Sequence, residues 1–134
     1  MTLADASPET PALEDMPRII SVDDHILEPR DLWQQQLPPS LRDRGPRVVR
    51  ERVELSFSGG HYGFERNVPD GQWCDVWLYE DLEMPTGRLH APAGMPQEDV
   101  INVPAVYEDF RPGAYDQAAR LVDMDDNHVE AAVN

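Results

Sequence analysis

Lysine is absent from this sequence. All 11 basic residues are arginine, against 26 aspartates and glutamates, for a formal net charge of −15. A chain so acidic is repelled by phosphate backbones, which argues against a nucleic-acid partner. There is one cysteine, Cys74, which excludes an internal disulfide and a multi-cysteine zinc site and fits a reducing, cytoplasmic setting. No apolar run approaches the roughly 20 residues needed to cross a bilayer, so no membrane partner is expected. The N-terminus lacks the basic start and apolar centre of a signal peptide. Rich in Pro, Ala and acidic side chains, residues 1–16 read as a disordered leader.

What is present suits one domain of ordinary size: 134 residues, 40% hydrophobic and 28% charged. The β-branched run Arg18-Ile-Ile-Ser-Val22 predicts a buried strand that ends in Asp23-Asp24-His25. Pro29 is placed to open a helix with Leu32, Trp33 and Leu37 on one side, stopped by Pro38-Pro39. From Arg47 the apolar period becomes two, through Val49, Val53, Leu55 and Phe57, although Glu51 interrupts that face. With turn signals at Ser58-Gly59-Gly60 and Pro69-Asp70-Gly71, residues 47–79 are expected to form an antiparallel β-hairpin excursion. Residues 80–113 read as a long loop, longer than most connections in compact domains. Asp116 then offers an N-cap for a helix over 116–127, and a strand follows at 129–134.

Strand, helix and strand together imply a parallel sheet, and both faces of a parallel sheet must be covered. One helix and two strands do not cover them. Residues 17–134 are therefore expected to be part of a larger α/β domain, and the chain to be truncated.

Two residues apart on a strand, Asp23 and His25 would point to the same side, and Asp24 to the other. A carboxylate beside an imidazole at a strand's C-terminal end makes half of a divalent-metal site. Spacing alone is weak support, because Asp-x-His occurs by chance and capping or a buried hydrogen-bonded pair is the simpler explanation of it.

The surrounding residues add to it. Ser21-Val-Asp-Asp-His-Ile-Leu-Glu-Pro29, followed by Asp31-Leu-Trp33, resembles the opening of the amidohydrolase-related family, the branch of the amidohydrolase superfamily that holds both metal-dependent hydrolases and decarboxylases. Leu41-Arg-Asp-Arg-Gly-Pro-Arg47, Arg111-Pro-Gly-Ala-Tyr-Asp116 and Ala119-Arg-Leu-Val-Asp-Met-Asp125 extend the likeness. His128 departs from it, since relatives usually carry Gly there. The resemblance implies the N-terminal part of a distorted (β/α)8 TIM barrel with a divalent metal, commonly zinc, at its mouth. It implies Asp23 and His25 as metal ligands, with further histidines and a general-base aspartate on later strands. A small-molecule substrate would then be hydrolysed through a metal-activated water, or decarboxylated by the same metal, and a homo-oligomer is compatible with either. For the 134 residues alone, little turnover and weak metal retention are expected, because two ligands do not close a site.

Other candidates carry two readings each. Glu28 is placed either to orient a metal ligand or to begin the next helix. Trp77, on one face with Trp73 and Tyr79, either lines a substrate pocket or packs a hairpin. Arg111 either binds a substrate carboxylate or anchors the loop before the helix. Cys74 reads as a small buried hydrophobe. The alternative from a different class is a non-catalytic acidic module that binds a protein partner.

Overall fold

The computed structural model describes Ala12 and residues 15–133. The expected leader over 1–16 therefore lies, but for Ala12, Asp15 and Met16, outside the described residues. In chain order the elements are β1 (Ile19–Ser21), α1 (Leu32–Gln36), α2 (Pro39–Arg42), β2 (Arg47–Ser58), β3 (His61–Arg66), β4 (Gln72–Tyr79), β5 (Leu82–Pro85), α3 (Gln117–Asp126) and β6 (Val129–Ala132). Short 3-10 turns punctuate the segment between β5 and α3.

The expected (β/α)8 barrel is not what this chain forms. Its main sheet has four strands in the order β3-β2-β4-β5, every pair antiparallel, and the α-helices of the described residues number three. The reason lies in the connections. Parallel neighbours need a crossover of about a dozen residues or more, whereas β2 to β5 are joined through residues 59–60, 67–71 and 80–81 alone. Among the described residues one pair is parallel, β1 with β6, with Ile20 opposite Ala131.

β2 is the central element. Its C-terminal half pairs with β3 and its N-terminal half with β4, and the two partners meet at Val53, opposite both Arg66 and Gln72. Gly59 and Gly60 take positive φ in the two-residue turn, the left-handed geometry that matches strand twist. Gly71 is fixed by contact instead: a Cβ there would lie 2.9 Å from the Val53 carbonyl oxygen. Val53, Cys74 and Val76 are fully buried, with Val49, Leu55, Phe64 and Leu78 packed against them.

Residues 86–115 have few regular elements but are not loose. Gly87 bridges to Pro104, the Asp75 N–H donates to the Ala105 carbonyl and the Thr86 N–H to the Asp75 carbonyl. Ala91, Ala105 and Phe110 form a second core, joined by Leu27, Met95 and Tyr115. This folded segment carries the carbonyl that faces His25. Among the described residues no helix is long and apolar enough to cross a membrane.

Candidate metal centre at His25

β1 stops at Ser21, Val22 and Asp23 bend, and residues 24–29 run without regular structure. The expected strand alternation therefore does not extend to Asp23 and His25, and each side chain must be placed by its own contacts. Asp24 accepts from Ser21 Oγ at 2.8 Å and forms a salt bridge with Arg120 on α3. Its carboxylate ties the segment after β1 to the helix. Asp23 presents its carboxylate to solvent.

His25 is set differently. Its Nδ1 lies 2.9 Å from the His90 carbonyl oxygen. A carbonyl oxygen only accepts, so Nδ1 carries the proton and the neutral ring keeps the lone pair of Nε2 free. A metal-ligating histidine is commonly held this way, its second nitrogen bonded to a backbone carbonyl that fixes tautomer and ring orientation. His90 accepts on its own Nδ1 from the Gly87 N–H at 3.4 Å, a long bond. Burial, and secondly repulsion from His25 when that ring is protonated, push the His90 pKa down from its ordinary value.

The remaining candidates fall elsewhere. The Glu28 carbonyl accepts from Tyr107 Oη at 2.7 Å while the residue itself is exposed, so its visible role is to pin the chain beside the second core. Burial first among its causes pushes the Tyr107 phenol up to about 12, and it stays a hydrogen-bond donor at neutral pH. Arg111 is bidentate with Asp123, with Nε at 2.8 Å from Oδ2, which fastens the loop to α3. It also lines an open cavity of about 460 Å3 with Arg88 and Phe110. Trp77 is half-buried opposite Val48 and Met84. Its two aromatic companions part from it: Trp73 lies under the Arg52 guanidinium at 4.6 Å, and Tyr79 lines a separate cleft with Trp33 and Leu41.

Among the described residues no group of three or more His, Cys, Asp or Glu side chains is placed to hold a metal ion. What is present is narrower: an oriented imidazole at His25, and at Asp23 an exposed carboxylate two positions earlier in the sequence that no hydrogen bond or ion pair ties to it. His61 ends the β2–β3 turn, and His128 Nε2 lies 2.7 Å from the Met16 carbonyl, so neither joins His25. The residue that sequence reasoning missed is His90. Nothing in Arg88-Leu-His90 marks it, because its role comes from a main-chain carbonyl 65 positions away. No protein-family model and no curated protein matches this chain.

Proposed function

We propose that this chain contributes Asp23 and His25 to the divalent-metal centre of a hydrolase acting on a small organic substrate. The observation that carries the reading is the bond from His25 Nδ1–H to the His90 carbonyl, which leaves Nε2 as the only unprotonated ring nitrogen. Zinc bound there would lower the pKa of a coordinated water to near neutrality and polarise a substrate carbonyl. Within the chain, His90 holds the imidazole in place through its backbone, and the Asp24–Arg120 pair fixes the segment that bears both ligands. Asp23 adds the negative charge that a divalent cation needs. Two protein donors leave coordination positions for water, substrate and further ligands.

The test is a zinc titration of the full chain, followed by the imidazole NMR signals of all four histidines. We expect fast, weak binding that moves the His25 ring first, disappears in His25→Ala and weakens at least about tenfold in Asp23→Asn, since losing a direct ligand should cost no less than the roughly 10–100-fold typical of an outer-shell partner. Zinc that broadens His61 or His128 while sparing His25 would overturn the assignment. So would affinity unchanged by either substitution.

A further inference from the structure

His90 faces two ways. Its carbonyl orients His25, and its side chain lines a cleft of about 290 Å3 between the sheet and the folded segment after β5. Leu55, Phe64 and Pro85 supply the apolar wall of that cleft. Its volume is at the low end for a small-molecule site and suits a single ring rather than an extended ligand.

The polar groups are few and ordered. Because the Gly87 N–H occupies His90 Nδ1, the proton of the neutral ring lies on Nε2, which is a donor. Asn102 brings Oδ1 to the same face of Gly87 as an acceptor. A Cβ built on Gly87 would lie 4.0 Å from His90 Nε2 and 3.6 Å from Asn102 Oδ1, so the bare glycine keeps open the space between them. Glu83 at the rim is paired with Arg66, which also binds Glu51 with Nη2 at 2.7 Å from Oε1. Two carboxylates against one guanidinium leave this side negative, in a chain of net charge −15. An anion is therefore disfavoured.

A donor and an acceptor side by side, an apolar wall and no free cation match a primary or secondary amide attached to an aromatic ring. We infer that this cleft, which shares His90 with the centre at His25, binds the uncharged aryl-amide end of the substrate. The inference rests on the hydrolase reading for the role of the bound molecule, but the binding itself needs no metal.

Benzamide is the probe, with benzoate as the anionic comparator of the same shape. Titrated into the metal-free full chain, benzamide should shift the Leu55 methyl, Phe64 ring and Asn102 side-chain amide NMR signals saturably. Millimolar affinity is the expectation for a fragment of about ten non-hydrogen atoms. Benzoate should bind at least tenfold more weakly. Gly87→Ala should also weaken benzamide about tenfold, a loss of roughly 1.4 kcal/mol. Backbone strain does not complicate that variant, since Gly87 sits at φ −106 and the added methyl makes only ordinary contacts. Asn102→Ala, which removes the acceptor alone, should produce a similar loss.

Equal binding of benzoate, indifference to both substitutions, or equal shifts at Trp33 and Leu41 would overturn the cleft. The two readings fail separately. Zinc that reaches His25 without any benzamide saturation removes the cleft. Benzamide that saturates while zinc ignores His25 removes the hydrolase and leaves a ligand site of another purpose.

Discussion

Asp75 has no exposed surface, yet every part of its charge is answered. Arg50 donates to both oxygens at 2.9 and 2.7 Å, the Tyr107 N–H donates to Oδ2 at 3.0 Å, and Arg30 stands at 3.5 Å. Burial alone would push this carboxyl up. The Arg50 and Tyr107 bonds and the nearby guanidinium charges outweigh it and hold the pKa below the ordinary carboxylate value. A folded pKa lowered in this way stabilises fully above the unfolded value, near ~3.9, and the contribution is lost as pH falls through the folded value. Urea midpoints should therefore drop as pH is taken below about 4, and Asp75→Asn should reduce that dependence. Arg50→Ala leaves the buried carboxylate with much less compensation and should cost about 3 kcal/mol at neutral pH, measured by urea unfolding. Arg88→Ala breaks the more exposed 3.5 Å pair with Asp99 and should cost under about 1 kcal/mol. Equal costs for the two variants would show that Asp75 is not the clamp described.

Among the elements, α3 carries the clearest local signals. Asp116 accepts from the Ala119 N–H at 2.8 Å, as its position before the helix suggests, and Asp116→Ala should lower stability by about 1 kcal/mol. A thermal melt unchanged by that substitution would mean that the cap contributes nothing. The left-handed residue closing α3 is His128, at φ 58, a conformation with a small cost for a residue other than glycine. Other elements were legible for equally local reasons. Alternation from Val49 to Phe57 coincides with β2, and Gly59-Gly60 with its turn. β5 was not legible, because four residues ending in Pro85 lack a period long enough to register. The global arrangement was misread for a different reason. The barrel was implied by the resemblance carried by short motifs at 21–33, 41–47 and 111–125, which but for Arg47 lie outside the four-stranded sheet, while the connections within residues 47–85 permit only antiparallel return. At the candidate centre, Asp23 and His25 stood out by type, but their strand geometry did not survive the bend after Ser21. The group that orients His25, the His90 carbonyl, is a main-chain feature with no side-chain signature, and the cleft joins Leu55, Phe64, Gly87, His90 and Asn102 from stretches far apart in sequence.

The described residues hold two small cores, one under the sheet and one within residues 86–115, joined across Asp75 and Tyr107. The contacts within the sheet are local, since β2, β3, β4 and β5 follow one another through short turns. The contact between β1 and β6 is the opposite kind. It brings Ile19 against Val129, enclosing nearly the whole described chain in one loop. Closing so long a loop early is entropically costly, and non-local pairings of this kind slow folding. In pulse-labelled hydrogen exchange during refolding, amides of Val49 and Val76 should gain protection before those of Ile19 and Val133, which donate across the parallel pair to His128 and Ser21. The reverse order would place the nucleus in the parallel pair. Because Asp23 and His25 follow directly on β1, a late closure has a consequence for timing. A nascent or partly refolded chain would have its sheet in place while His25 still lacked the His90 carbonyl, so the orientation of that imidazole becomes the last event of maturation.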